Sequence, residues 1–455
     1  MQNCRRFRLL ICAGLLTAAL SGCGGSSSKD HIPSTVSIFY EHSVLFRNHT
    51  TFTMGYNGFG QLGDGTLKTR EIAVPVPGMV NMTKAVGGVA HTMVTDGTKV
   101  WAWGYNLYGQ LGNSTALTTY PDAFKSSPVP VTFPNTVTTV TDIAAGAYHS
   151  LAVGNDALYA WGDNANRQLG DSTIIKKTVP VEIKRGHADE DLTALKTVQV
   201  AAGGYHSLAL MGDGSVYAWG DNRKGQAGHV VLDTYSSAIS SPRKVLGLPG
   251  NGGAITKIAA SSRTSYALEE KVDGNGVLTQ TLWGWGYNGY KDATDPTNPK
   301  KTTGGELAQD PAVLQQTAVP VAVLSIAATD DNVIKKIATG INHLLLLMGP
   351  RGSDAGNFVQ AVGYNDKAQL GNSQRPSLTS KDTSLSSFEF VYALNTAGTG
   401  TLTGVTDIAA FGTSSFALVN GTWYAWGDNG NGQVGNKVAT DTITYFQLPV
   451  TVKFQ

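Results

Sequence analysis

Residues 201–228 read AAGGYHSLALMGDGSVYAWGDNRKGQAG, and this stretch decides the fold. His206 to Leu210 and Val216 to Gly220 are short runs of β-branched, aromatic and small apolar residues. Met211-Gly212-Asp213-Gly214 separates them, and Asp-Gly supplies the positive φ that a tight hairpin needs. The stretch therefore predicts a β-hairpin. Side chains alternate between the faces of a strand. Val216 and Ala218 fall on one face, Tyr217 and Trp219 on the other, so both faces are apolar. A sheet with two buried faces lies between two other layers.

The stretch recurs with drift along the chain. The glycine of Trp-Gly-x-Asn stands at Gly55, Gly104, Gly162, Gly220, Gly286, Gly363 and Gly427, at spacings of 49, 58, 58, 66, 77 and 64 residues. The Gly-x-x-His position is His42, His91, His149, His206, Thr264, His343 and Ser414. A Pro-Val run follows each hairpin, as at Pro128 to Val131 and Pro242 to Val245, with a degenerate sixth copy at Phe388 to Tyr392. Another strand precedes it, as at Val140 to Ala145. The expectation is an all-β chain of seven four-stranded antiparallel units, which bury both faces of every sheet when stacked radially as a propeller. The first unit begins with Val36 to Phe39 and lacks a Pro-Val strand before its hairpin. Leu448 to Lys453 supplies such a strand at the C-terminus, so the C-terminal strand is expected to close the ring by completing the first blade.

Trp161 to Gly170, WGDNANRQLG, preceded by Ala144 to Ser150, AAGAYHS, resembles the regulator of chromosome condensation repeat. The resemblance spans almost all of residues 36–455 and implies a seven-bladed β-propeller. One eukaryotic member of that family exchanges nucleotide on a small GTPase and docks on chromatin. A secreted bacterial relative inhibits β-lactamases through aromatic residues on its loops.

Residues 1–22 read as a targeting segment. Arg5, Arg6 and Arg8 form a basic region, and Leu9 to Leu20 is apolar but too short to span a bilayer. Leu20-Ser21-Gly22-Cys23 resembles a bacterial lipobox, which implies a lipidated Cys23. Gly24, not being Asp, implies outer-membrane retention. Residues 23–35 then form a Gly/Ser tether. Cys4 and Cys12 leave with the targeting segment, so the propeller has no thiol for a disulfide, a metal site or a nucleophile. Loss of the three arginines leaves 31 basic and 33 acidic side chains, a net charge of −2. That balance gives no footprint for nucleic acid.

No Ser-His-Asp signature, P-loop or dinucleotide fingerprint is present. The five recurring histidines read as structural groups bonded to backbone within their own units. Asp428-Asn429 reads as an Asx-turn rather than a calcium loop. No catalytic residue, metal or cofactor is expected. Function is expected on loops after the Trp-Gly strand, at Asn113 to Ser127, His229 to Ser241, Tyr290 to Ala318 and Asn372 to Ser387. Their aromatics Tyr120, Phe124, Tyr235 and Tyr290 are the candidate partner-binding residues, because aromatics held on a rigid scaffold anchor interfaces. In the fifth unit the Gln-Leu-Gly ending is missing after Asn288. The charge-rich stretch Lys184 to Lys196, on the other face, reads as a solvated loop. The expected function is a membrane-anchored envelope scaffold presenting one loop face to an envelope or extracellular protein. The alternative is an envelope enzyme or a glycan or small-molecule binder using the central depression. Neither a small GTPase nor nucleic acid is an expected partner of an exported lipoprotein.

Overall fold

The structure is a computed structural model and describes residues 41–114, 123–230, 238–248, 253–291, 302–311, 313–373, 386–436 and 444–455. It is a seven-bladed β-propeller of antiparallel blades. Numbered in chain order, the blades occupy residues 42–80, 84–130, 140–182, 197–244, 254–326, 332–392 and 405–451. Six show all four strands, and blade one shows three. Val36 to Phe39, the strand expected to begin blade one, lies outside the described residues.

Blade four shows why this sequence folds as it does. Thr197–Ala202, His206–Met211, Val216–Asp221 and Ala238–Lys244 pair in chain order. Asp213 Oδ1 accepts the Ser215 amide at 2.9 Å inside the hairpin turn. Val216, Tyr217, Ala218 and Trp219 are all buried, as two apolar faces require. The first strands of successive blades pack against one another, so they line the axis. Most carry a β-bulge, as at Val140/Asp142 and Thr197/Gln199. A bulge frees backbone groups from the ladder, and side chains of the preceding blade satisfy them. Asp142 Oδ2 accepts Val200 N at 2.9 Å, and Gln199 Oε1 accepts Ile258 N at 2.8 Å.

A repeated polar clasp joins the blades. The carbonyl of Gln168 in blade three accepts the Ser207 hydroxyl at 2.7 Å and the Trp219 indole N–H at 2.8 Å, both from blade four. Ser207 in turn lies 3.0 Å from Nε2 of His149 in blade three. Its hydroxyl hydrogen goes to the glutamine, so the imidazole must donate, which fixes the neutral Nε2–H tautomer. The same three bonds recur through Gln61, Gln110, Gln226 and Gln369. The histidines are therefore structural, but they bridge to the next blade's hydroxyl rather than to their own backbone. Two glycines of the repeat are dictated by this packing, as in blade four. A Cβ on Gly203 would lie 2.0 Å from the His206 ring, and one on Gly220, at φ +90°, 2.6 Å from Tyr205 O.

Ring closure departs from the sequence reading. Tyr445–Thr451 pairs with Thr422–Asp428 as the outer strand of blade seven, and blade one has its own outer strand, Arg70–Val80. The Pro-Val strand ends its own unit everywhere, so each blade is contiguous and none needs a borrowed outer strand. The C-terminus still clasps blade one. Ala73 N donates to Lys453 O and Gln455 N to Ala73 O, both at 2.9 Å. The Phe454 ring meets Phe52 edge-on at 4.9 Å, with the Arg47 guanidinium 4.6 Å above it.

Blade five differs as well. A short hairpin of Gly289–Lys291 and Thr302–Gly304 is inserted after Asn288. Gly305-Glu306-Leu307-Ala308 then takes the place of the ending that the sequence reading finds missing. Asn288 Oδ1 accepts Leu307 N at 2.8 Å, as Asn164 accepts Leu169 N at 3.0 Å. The polar clasp to blade six is absent among the described residues: Thr264, Leu344 and Val362 replace its His, Ser and Trp. Buried Tyr266, Leu307, Leu344, Leu346 and Val362 fill that junction. The stretch 184–196 is no plain solvated loop either, since it holds two 3-10 turns and buries Leu192.

Ser207→Ala removes the acceptor of a buried imidazole N–H and one of two donors to Gln168. It should cost ~1–3 kcal/mol, the penalty for stranded buried polar groups, read as a lower urea midpoint. An unchanged midpoint would contradict a stabilising clasp.

Candidate functional site

The loops between first and second strands and those between third and fourth strands open on one face. Two repeat positions meet there in every blade: the residue before the second strand and the residue after the Trp-Gly glycine. Their backbones are tied throughout, as Tyr105 N to Ala90 O at 2.8 Å, Asp163 N to Tyr148 O at 2.9 Å and Tyr287 N to Arg263 O at 2.9 Å. A third position lies three residues beyond the second, at the tip of the Gln-Leu-Gly loop, where the glutamine side chain accepts its amide, as Tyr108 N to Gln110 Oε1 at 3.1 Å. The backbone of this rim is constant, while its side chains change from blade to blade.

Across blades one to three the rim is aromatic. Tyr56 and Phe59 lie 6.4 Å apart, Phe59 and Tyr105 5.0 Å, Tyr105 and Tyr108 6.2 Å, and Tyr108 and Tyr148 5.2 Å between ring centroids. These rings are half-buried. Their interplanar angles of 64°, 62°, 65° and 44° make a corrugated surface rather than a flat platform. Exposed Tyr205 extends the arc to blade four. Burial raises the pKa of Asp163 beneath it, against hydrogen bonds from Ala165 N and Gln168 Nε2 that lower it.

Beyond the tyrosines the rim turns cationic. Arg263 Cζ lies 5.3 Å and Lys224 Nζ 5.7 Å from the centroid of the Tyr287 ring. At blade one it is acidic and dry. Glu41 accepts Thr413 N at 3.2 Å, Thr413 Oγ1 at 2.9 Å and Gln433 Nε2 at 2.7 Å. Burial, and then the Asp428 charge, push its carboxyl up to about 7. Glu306, at a glutamine position, is pushed by burial up to about 8.

Of the four aromatics singled out in the sequence, Phe124 alone can be placed in full. It begins the outer strand Phe124–Pro130 opposite Tyr105, so it is a strand residue rather than a loop residue. Tyr120, Tyr235 and the proposed lipid-attachment residue Cys23 lie outside the described residues. Tyr290 pairs with Thr303 in the inserted hairpin, and its side chain also lies outside them. Tyr56, Phe59, Tyr105, Tyr108 and Tyr148 were missed because they sit inside the repeat, where Gly-Tyr-Asn and Tyr-His-Ser read as framework. The available signal was alternation at a fixed position, with Tyr56, Tyr105 and Tyr287 standing where other units have Asp163, Asp221 and Asp428. Asp428 Oδ1 accepts Gly430 N at 3.0 Å, in keeping with an Asx-turn. Among the described residues no three His, Cys, Asp or Glu side chains are grouped to hold a metal.

Residues 98–153, 155–210 and 213–268 match the family model described as regulator of chromosome condensation (RCC1) repeat, and 140–168 and 197–226 match a second model of that repeat. The chain is 30% identical to the protein RCC2 homolog of Xenopus laevis over 52% of its own length and 42% of that protein. It is 27% identical to the mitochondrial RCC1 domain-containing protein RUG3 of Arabidopsis thaliana over 58% of each chain. The chain thus spans less than two thirds of either relative. Among solved structures it resembles yeast RCC1 (Prp20) bound to Kap60, with a TM-score of 0.67, 21% identity and coverage of 95% of this chain and 90% of that one. It also resembles human WBSCR16, with a TM-score of 0.60, 20% identity and coverage of 82% and 83%.

The buried ionisable groups set a pH optimum. Burial pulls His91, His149 and His343 down to about 3 and His206 to about 4. Their contribution is full above ~6.5 and is lost as pH falls toward those values. Glu41 and Glu306 are raised, so their contribution is full below ~4.5 and is lost as pH rises through 7 to 8. Four histidines outweigh two glutamates between those limits, so the melting temperature should peak near pH ~6.5. Glu306→Gln restores the residue of the other repeats and should flatten the alkaline fall. An identical alkaline fall in that variant would refute the assignment.

Proposed function

We propose that this propeller, which carries RCC1 repeats over residues 98–268, is a lipid-anchored interaction scaffold of the cell envelope, presenting its aromatic rim to a partner protein. The observation that carries this reading is the arc of tilted, half-buried rings from Tyr56 to Tyr148. Tyrosine gives large contact area at low cost in conformational freedom and is enriched at interface hot spots. Tilted rings leave notches that accept protein side chains, whereas a sugar ring stacks best on a flat face. The anchor rests on the Leu20-Ser21-Gly22-Cys23 motif, and the outer membrane is the membrane that Gly24 favours. An exported chain meets no cytosolic GTPase, so the nucleotide exchange of the eukaryotic family member does not carry over. The reading assigns no catalysis to the rim.

Two measurements test it. Cross-linked envelopes are captured on the native lipoprotein and on a Tyr105→Ala, Tyr108→Ala, Tyr148→Ala variant with an unchanged melting temperature. A protein held by the first should be lost from the second; retention on both would contradict the rim as the binding face, and capture of polysaccharide alone would favour a glycan binder. Cys23→Ser should move the protein from the membrane pellet to the soluble fraction. If it stayed with the membrane, the lipid anchor would be contradicted.

A further inference from the structure

The rim charge is uneven, and among the described residues its cationic sector has no paired carboxylate. Lys224, at the tip of the blade-four loop, and Arg263, before the second strand of blade five, both lie over the Tyr287 ring. Among the described residues neither is paired with a carboxylate. The acid beside them, Asp221, is already taken by Arg223, through Nε at 2.8 Å and Nη2 at 2.9 Å. Glu306, whose carboxyl feels Arg263, is buried and stays protonated to about pH 8, so it does not neutralise that guanidinium. Hydrogen bonds fix the main chain of both residues: Tyr287 N donates to Arg263 O at 2.9 Å, and Lys224 N to Gln226 Oε1 at 2.8 Å. A guanidinium fork and an ammonium beside one ring offer directed donors to a carboxylate.

Resting on the reading of this rim as a protein-binding surface, we propose that the Lys224–Arg263–Tyr287 sector is a carboxylate-binding site that takes an acidic segment of the partner protein. The acid of that segment sits on Lys224 and Arg263, and its apolar side chains lie along the arc through Tyr205 toward Tyr148 and Tyr108. Charge complementarity selects the occupant: the tyrosines supply contact area, and the two cations supply orientation and specificity.

The test is fluorescence anisotropy on the full-length lipoprotein in detergent. The probes are a fluorescein-labelled peptide alternating Glu with Phe, and the same peptide with Lys for Glu. The Glu peptide should bind, with affinity falling as salt rises, and the Lys peptide should not. Lys224→Glu with Arg263→Glu should weaken the Glu peptide by roughly 10- to 100-fold, the size expected for lost charged hydrogen bonds, and Lys224→Arg with Arg263→Lys should retain binding. Unchanged melting temperatures show that the variants are folded. Equal binding of the two peptides, indifference to charge reversal, or no saturable binding at ~1 mM peptide would overturn the proposal. Displacement of the peptide by polygalacturonate, with the same dependence on Lys224 and Arg263, would overturn the choice of a protein segment in favour of an acidic glycan. If charge reversal has no effect while Tyr105→Ala, Tyr108→Ala and Tyr148→Ala abolish binding, the carboxylate site falls and the rim reading stands. If neither set matters, both fall.

Discussion

One carbonyl group, repeated at five of the seven blade junctions, organises this propeller. At these junctions the backbone oxygen of the glutamine accepts a hydroxyl and an indole N–H from the following blade, and the hydroxyl accepts an imidazole N–H in return, as at Gln168. Both lone pairs of the carbonyl are used, inside a protein interior where an unmade bond is costly. Histidine and glutamine from one blade meet serine and tryptophan from the next, so the repeat motif is the two halves of a joint rather than a self-contained unit. That is why its residues recur together; between blades seven and one, where Ser414 and Met54 replace the histidine and tryptophan, the Ser43 hydroxyl still donates to the Gln433 carbonyl at 3.0 Å. Where blade five gives up its histidine, blade six gives up its serine and tryptophan, and an apolar seam replaces the clasp.

This joint also explains where function can reside. It lies directly beneath the rim, and it fixes the backbone of the loops there independently of the rim side chains. Those positions are free to vary, and they do: aromatic over blades one to three, cationic over blades four and five, acidic and buried at Glu41. A rigid frame with interchangeable side chains lowers the entropic cost of binding, because little remains to be ordered on contact.

The hairpins, the seven units and the structural role of the histidines were legible in the sequence because each reflects local chemistry repeated many times. Asp213-Gly214 marks a turn, and the apolar faces around Trp219 demand layers on both sides. Which blade receives the C-terminal strand was not legible, since the choice between Arg70–Val80 and Tyr445–Thr451 for blade one depends on pairing between distant segments. The His149 partner in the next blade was hidden for the same reason. In blade five, the inserted hairpin moved Glu306 and Leu307 out of the expected spacing while the bond from Leu307 N to Asn288 stayed in place. The rim tyrosines were readable as residues but not as a surface, because residues some fifty positions apart meet only once the ring closes.

Site-directed photo-crosslinking in the native envelope tests the central claim most directly. A photoreactive phenylalanine analogue at position 105 lies in the aromatic arc, and one at position 272 lies exposed at a hairpin end on the opposite face. The expected result is a discrete protein adduct from position 105 and none from position 272. Adducts from position 272 alone would place the working surface on the other face and contradict the rim as the functional site.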